Sequence, residues 1–200
     1  FLVQTASMKE ELVNCLRRPA VRTVSLHQRV PAIVEMGTMD HEGFVYLASA
    51  EPHKNHRQLL RGWDLLAERG SFPTLHLTVR LDSEIAGEIG RLVRERGVKI
   101  VNHGPMPRPD ALQLLAGAEA LIYPSLVESF GLPLIEADAL GIPILASESD
   151  YVRDVVDPKE TFDPNSAVSI ARAVERFLGN ADSKVDAVGV ESLIEELQLN

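Results

Sequence analysis

Two glutamates flank a glycine in the mostly apolar segment YPSLVESFGLPLIEADALGIPILAS, residues 123–147. Glu128 precedes Gly131 and Glu136 follows it, with seven residues between the two carboxylates. On a helical wheel Glu136 falls on the packed side of the following helix, where an unpaired carboxylate is costly. A ribose diol would satisfy it, and Glu128 would point into the same crevice. The alternative is a structural Glu136 that caps a neighbouring loop, beside a solvated Glu128.

The turn between these glutamates predicts an anion site. Pro133 suits the first turn of a helix, where its missing N–H is harmless. The amides of Phe130, Gly131 and Leu132 are then free at a helix N-terminus, and such an end binds anions, phosphates above all. Ser129 lies in the same loop and is expected to line the pocket.

A second polar group, EPHKNH at residues 51–56, follows a predicted strand. Lys54 enters a helix at this point and is suited to meet a diphosphate as a mobile point charge. The alternative is a surface lysine beside a helix that Asn55 or His53 caps. Ser49, at the end of the strand, is expected to line the pocket.

A third group, VNHGPMP, follows a later strand. Gly104 permits a backbone turn or a close approach. We assign His103 to the pocket lining. Taken alone, this position is more typical of a loop histidine whose hydrogen bonds are satisfied within the protein. The six histidines show no HExxH spacing, and the sequence has no GxSxG, GxxxxGK[ST] or GxGxxG motif. We therefore expect no metal site and no cofactor.

These groups follow strands in a repeating pattern. Helical segments separate the β-rich runs FVYLAS, TLHLTV, VKIVNH, ALIYPS, PILASE and TFD. This alternation predicts an α/β fold, with a Rossmann-like parallel β-sheet and helices on both faces. Such sheets bind ligands outside the carboxyl ends of their strands, which is where the polar groups and Arg80 fall.

Four residues are expected to mark helix boundaries. Ser83 and Gly97 are typical of the start and end of one helix. Asp110 is expected to begin the short helix DALQLLAGA. Pro164 is expected to lie in the first turn of the helix PNSAVSIARAVERFLG.

The chain is expected to divide into three parts. Residues 1–37 read as strand, helix through Arg17, strand and linker; residues 38–180 form the Rossmann-like domain; and residues 181–200 end in an acidic helix. Because the chain opens without methionine, we interpret it as a fragment of a longer protein.

Composition narrows the classes of function. A hydrophobic content of 45% is enough to fill a core, and the formal charge of −9 argues against a nucleic-acid partner. Cys15 is the one cysteine and cannot form a disulfide within the chain, so a reducing, cytoplasmic setting is expected. No apolar run reaches the length of about 18 residues that a membrane span needs.

The segment YPSLVESFGLPLIEADALGIPILAS closely resembles the donor-site signature of group 1 retaining glycosyltransferases of the GT-B fold. VYLASAEPHKNH resembles the first strand and Lys-Asn segment of that family. VKIVNHGPMPRPDALQLLAGAEALIYPS and TFDPNSAVSIARAVERFL resemble the stretches before and after the signature. The resemblance covers residues 44–178 in order.

The resemblance implies the C-terminal, nucleotide-sugar-binding half of a two-domain enzyme. Residues 1 to about 30 would then belong to the acceptor half. The implied roles are ribose binding for Glu136, diphosphate neutralisation in place of a metal for Lys54, and donor-sugar binding for the loop residues Glu128, Phe130, Gly131 and Leu132. No catalytic residue is assigned within this half, and this chain alone is expected to be inactive.

The implied activity is sugar transfer in polysaccharide biosynthesis, from a nucleotide-diphosphate sugar to a glycan or lipid-linked acceptor. Peripheral membrane association of the full-length enzyme is compatible with such an acceptor. The alternative is a GT-B protein that is not a transferase, either a nucleotide-sugar 2-epimerase or a degenerate nucleotide-sugar-binding module.

The sequence departs from the family pattern at two positions. Ala48-Ser49 stands where the family commonly has Gly-Arg, and Arg80 stands where a glycine is common. We hypothesise that Arg80 supplies the diphosphate-binding charge that is absent at position 49.

Overall fold

The computed structural model describes residues 2–16, 21–23 and 42–180. None of the helices in these ranges is long and apolar enough to cross a membrane. The predicted acidic helix at residues 181–200 and most of the predicted linker lie outside the described residues.

The N-terminal residues form a small unit of two parallel strands and one helix. Strand β1 (Leu2–Val3) pairs with β2 (Arg22–Thr23), and helix α1 (Ala6–Leu16) connects them. The amide of Ser7, in the first turn of α1, donates a 2.8 Å hydrogen bond to Asp154 Oδ2 in the larger unit. The predicted strand–helix–strand order is confirmed.

The larger unit is a six-stranded sheet in which every pairing is parallel. Its strands are β3 (Phe44–Tyr46), β4 (Leu75–Leu77), β5 (Ile100–Asn102), β6 (Ala120–Tyr123), β7 (Ile144–Ser147) and β8 (Glu160–Phe162). They lie in the order β5-β4-β3-β6-β7-β8. The prediction of a Rossmann-like parallel sheet is confirmed.

Helices connect successive strands of this sheet. They are α2 (His56–Glu68), α3 (Glu84–Arg96), α4 (Arg108–Ala116), α5 (Leu132–Ala139) and α6 (Asp150–Arg153). A last helix, α7 (Ala167–Phe177), follows β8. Each connection joins parallel strands, which a hairpin cannot do, so the helical segments of the sequence become crossovers.

The core forms where α2 and α7 pack on the sheet. Phe44, fully buried in β3, meets Trp63 of α2 and Phe177 of α7 edge-on, at ring-centroid distances of 5.6 and 5.7 Å. Gly62 lets the two helices approach closely, because a Cβ at this position would lie 3.0 Å from Ile170 Cγ2.

Two predicted helix boundaries are confirmed. Ser83 Oγ accepts a hydrogen bond from the amide of Ala86 at the start of α3, and Gly97 ends the same helix at φ +66°. This left-handed conformation favours glycine.

Other boundaries differ from the prediction. Helix α4 begins at Arg108, two residues before Asp110. Pro164 precedes α7 rather than lying in its first turn, because Ser166 caps that helix by accepting from the amide of Ser169. The sequence does not predict the short helix α6, because its four residues are too few to show a helical period.

Candidate functional site

The strand order reverses between β3 and β6, and the loops after these strands face each other there. In parallel sheets such a switch point opens a crevice at the carboxyl edge. A pocket of about 420 Å³ occupies this position. Its lining residues are Gln4, Leu47, Ala48, Ser49, Lys54, Tyr123, Glu128, Ser129, Phe130, Gly131, Leu132 and Pro133.

An ion pair spans the pocket. Lys54 Nζ, from the loop after β3, lies 2.7 Å from Glu128 Oε1, from the loop after β6. Their side chains are only 18% and 10% exposed, so solvent screens the pair less than a surface pair. The hydroxyl of Tyr123 donates to the same oxygen of Glu128 at 2.9 Å. One cation and one carboxylate are thus held together at the switch point.

The backbone around Lys54 is fixed by its neighbours. Lys54 ends a 3-10 turn (Pro52–Lys54) rather than entering α2, because Asn55 adopts a left-handed conformation at φ 62°. The side-chain amide of Asn55 donates to the carbonyls of Pro124 and Pro164 at 3.1 and 2.7 Å. Asn55 occupies the N-cap position of α2, as in the capping alternative, but its side chain makes no capping hydrogen bond to that helix.

The loop after β6 is anchored by buried hydroxyl groups around Ser125. The Tyr46 hydroxyl donates its one proton to the carbonyl of Lys54 at 2.8 Å and therefore accepts from Ser125 Oγ, also at 2.8 Å. Tyr151 and Ser147 donate to the carbonyl of Ser125 at 2.7 and 2.9 Å. Burial raises the pKa of the Tyr46 and Tyr151 hydroxyls. Both stay protonated and can donate at neutral pH.

The start of α5 forms the floor of the pocket. Gly131 precedes the helix at φ 67°, and Pro133 occupies its second position. Within the described residues, no group accepts a hydrogen bond from the amides of Phe130, Gly131 or Leu132. The predicted geometry, with free amides at a helix N-terminus beside Glu128, is confirmed.

Glu136 lies on the packed side of α5, as predicted, and is only 7% exposed. Its Oε1 accepts from Arg108 Nε at 2.9 Å and lies 2.8 Å from the second guanidinium nitrogen. It is not among the described residues that line the pocket of Lys54 and Glu128. The structure therefore places the two glutamates at separate positions along the carboxyl edge, and the ribose-binding role of Glu136 stays a prediction.

Arg80 does not reach the pocket. It follows β4 at the same edge of the sheet, but its guanidinium pairs with Asp82 through two hydrogen bonds of 2.9 and 2.6 Å. Both side chains are largely exposed, at 72% and 67%. The structure gives no support to Arg80 as a replacement for the charge absent at position 49, and that role stays a hypothesis.

The remaining predicted residues divide between the pocket and its surroundings. Ser49 and Ser129 line the pocket. His103 stacks on His76, with 3.0 Å between its Nε2 and His76 Nδ1, which matches the loop interpretation better than the pocket lining. Gly104 makes the expected turn at φ 73°. Neither His103 nor Gly104 is among the pocket-lining residues that the structure describes.

Three site residues escaped sequence reasoning. For Tyr123 the sequence pattern predicts only a strand, although the hydroxyl of a strand-end tyrosine is a signal that it borders a ligand edge. For Asn55 the pattern offers only a helix cap. Gln4 lines the pocket from the N-terminal unit, and nothing in a single sequence indicates a contact of that range.

The arrangement suits an anionic, hydroxyl-bearing ligand. Lys54 and the free amides of α5 supply positive potential, and Glu128 supplies an acceptor for hydroxyl groups. Within the described residues, no group of three or more His, Cys, Asp and Glu side chains could hold a metal ion.

Comparison with known proteins identifies relatives that are named as mannosyltransferases. The chain is 29% identical over 188 residues to the O-antigen chain mannosyltransferase B of Escherichia coli, a match of 85% of this chain and 49% of the relative. The chain therefore spans about half the length of that curated relative.

Solved structures share the fold. The structure of Anabaena HepE in complex with UDP and glucose superposes with a TM-score of 0.69, at 15% identity over 88% of this chain and 53% of that chain. Sucrose-phosphate synthase from Thermosynechococcus elongatus superposes with a TM-score of 0.67, at 21% identity over 90% of this chain and 49% of that chain. The family model described as "Glycosyl transferases group 1" matches residues 38–188. The chain belongs to the group 1 glycosyl transferases.

Proposed function

We propose that this chain is the nucleotide-sugar-binding half of a retaining glycosyltransferase. The full enzyme moves a sugar from a nucleotide-diphosphate donor to a glycan or lipid-linked acceptor. One observation carries the proposal: Lys54, Glu128 and the free amides before α5 converge on one pocket at the switch point of the sheet.

Lys54 and the N-terminus of α5 bind the diphosphate. The leaving nucleoside diphosphate gains negative charge as the glycosidic bond breaks, and preorganised positive groups stabilise such charge most when they are shielded from water. Lys54 is four-fifths buried and close to the N-terminus of α5. These residues perform the task that a divalent cation performs in metal-dependent sites.

Glu128 acts on the sugar. Its carboxylate accepts hydrogen bonds from hydroxyl groups, and charge-assisted hydrogen bonds of this kind are short and directional. Because Lys54 is bonded to Glu128 in the structure, donor binding exchanges this ion pair for a lysine–diphosphate contact and a glutamate–hydroxyl contact.

The relatives support sugar transfer and favour mannose as the sugar. The E. coli relative is named as an O-antigen chain mannosyltransferase, and a second, from Mycolicibacterium hassiacum, as an alpha-(1->4)-mannosyltransferase with 36% identity over 86 residues. The Anabaena neighbour was solved with UDP and glucose. Peripheral contact with a membrane belongs to the same proposal, through a lipid-linked acceptor.

The proposal is tested by calorimetric titration of the purified chain with nucleoside monophosphates, diphosphates and diphosphate sugars. We expect Lys54→Met to lower the affinity for nucleoside diphosphates by about ten- to a hundredfold, because a hydrogen bond to a charged group is lost. The affinity for nucleoside monophosphates should stay unchanged. The matched control is Lys159→Met, because Lys159 is exposed just before β8, at the opposite edge of the sheet. Equal losses for mono- and diphosphates, or equal losses in both variants, would contradict the assignment.

A further inference from the structure

The hydroxyl of Tyr123 and the ammonium of Lys54 both bond to the same carboxylate oxygen. Glu128 Oε1 lies 2.9 Å from Tyr123 Oη and 2.7 Å from Lys54 Nζ. In the part of the chain that the structure describes, no group donates to Oε2 of the same carboxylate. One oxygen of Glu128 is therefore held by the protein, and the other is left to accept from a ligand.

The two groups that hold Oε1 differ in rigidity. Tyr123 is the last residue of β6, is 2% exposed and packs edge-on against Tyr46 at a ring-centroid distance of 5.6 Å. Lys54 has a flexible stem, and under the proposed function its ammonium must turn to the diphosphate. Once Lys54 has turned, Tyr123 is the described group that still holds Glu128.

Tyr123 can fill this role at any physiological pH. Burial, together with the nearby carboxylate of Glu128, raises the pKa of the Tyr123 hydroxyl far above its ordinary value. The hydroxyl therefore remains a donor and fixes the orientation of the carboxylate.

We propose that Tyr123 is a positioning residue for the donor sugar: it holds Oε1 of Glu128 so that Oε2 faces a sugar hydroxyl while Lys54 binds the diphosphate. This inference rests on the proposed function and adds to it a residue that acts through Glu128.

The test is a double-mutant cycle measured by calorimetry, with the nucleotide sugar that binds the wild-type chain most tightly as the probe. Tyr123→Phe removes one oxygen and keeps the ring, so the variant is expected to fold, and its thermal unfolding verifies this. We expect Tyr123→Phe to weaken binding of the nucleotide sugar by up to about tenfold in the wild-type background, because the carboxylate of Glu128 must then be ordered when the ligand binds. In a Glu128→Ala background the same change is expected to have no effect.

Tyr151→Phe is the matched control. It also removes a buried tyrosine hydroxyl, but this hydroxyl donates to the carbonyl of Ser125 rather than to Glu128. Its effect on affinity is expected to be equal in both backgrounds. An equal effect of Tyr123→Phe in both backgrounds would show that Tyr123 acts through packing, and would overturn the inference while leaving the proposed function intact. Absence of nucleotide-sugar binding by the wild-type chain would overturn both.

Discussion

Glu136 has two interpretations at the scale of the single residue. Its ion pair with Arg108 satisfies the carboxylate without any ligand, which is what a purely structural role requires. The guanidinium, however, belongs to a side chain that is 44% exposed, so it can exchange its partner for water at little cost. The predicted contact with a ribose diol requires this exchange.

We expect Glu136→Gln to lower the affinity for every ribose-bearing ligand, free nucleoside diphosphate included, by about ten- to a hundredfold. Folding should survive, because glutamine keeps the shape. Arg108→Met is the control, since it breaks the same ion pair but leaves the carboxylate. If Glu136→Gln lowers the melting temperature and leaves the affinity for diphosphates intact, Glu136 is a structural carboxylate.

His56 links the same region to pH. It is 2% exposed, lies 4.9 Å from the Tyr46 ring, and neither ring nitrogen has a hydrogen-bond partner in the described structure. Burial lowers the pKa of His56 to about 4. Between about pH 6.5 and pH 4, His56 is therefore protonated in the unfolded chain but neutral in the folded chain. Acidification through this range favours unfolding.

The free energy of unfolding should fall as the pH drops from about 6.5 to about 4, and His56 should account for up to roughly 3 kcal/mol of the loss. His56→Phe keeps an aromatic ring against Tyr46 and cannot bind a proton. Urea unfolding at a series of pH values measures both chains. A wild-type slope no steeper than that of His56→Phe in this window would show that His56 is already protonated in the folded protein.

The start of α5 is the element on which the pocket depends. Gly131 adopts φ +67°, and a Cβ there would lie 2.9 Å from Leu134 Cδ1. A side chain at this position would strain the backbone and push the loop that carries Glu128.

We expect Gly131→Ala to lower the free energy of unfolding by about 1–2 kcal/mol, the cost of a left-handed conformation, and to weaken nucleotide-sugar binding. Gly87→Ala is the control, because Gly87 lies within α3 with open space around its Cα and an ordinary φ. That change should stabilise the chain by roughly 0.5–1 kcal/mol. Tight binding by Gly131→Ala would remove this helix start from the site.

Local signals predicted the elements better than their ends. Ser83 and Gly97 have specific capping geometries, so they were placed correctly from the sequence. Helix α4 starts at Arg108 rather than at Asp110, with Pro107 at its N-cap position and Pro109 in its first turn. Arg108 pairs with Glu136, and this tertiary pairing leaves no local trace. The same holds for Pro164, whose carbonyl is held by Asn55 rather than by a helix.

The site was predictable where a contiguous motif encodes it. The loop around Gly131 follows from local rules, but the contacts of Lys54 with Glu128 and of Tyr46 with Ser125 join residues more than 70 positions apart. Only the strand order brings them together, and one sequence without its fold does not give that order.

At the scale of the whole molecule, the chain carries a formal charge of −9, and a nucleotide-diphosphate sugar is also an anion. Binding therefore depends on the local positive groups at the switch point rather than on the general field. Because the chain spans about half of its E. coli relative, we expect it to bind donor without transferring sugar, since transfer requires a positioned acceptor and exclusion of water.

The central claim is that Lys54 binds the diphosphate of the donor and Glu128 binds its sugar. The most direct measurement is the affinity of the Glu128→Gln chain for a nucleotide sugar and for the corresponding nucleoside diphosphate, by calorimetry. The account predicts that the sugar-bearing ligand binds about tenfold more weakly than to wild type. The nucleoside diphosphate should bind equally or more tightly, because Lys54 is released from its partner. A parallel loss for both ligands, or no loss for either, would contradict it.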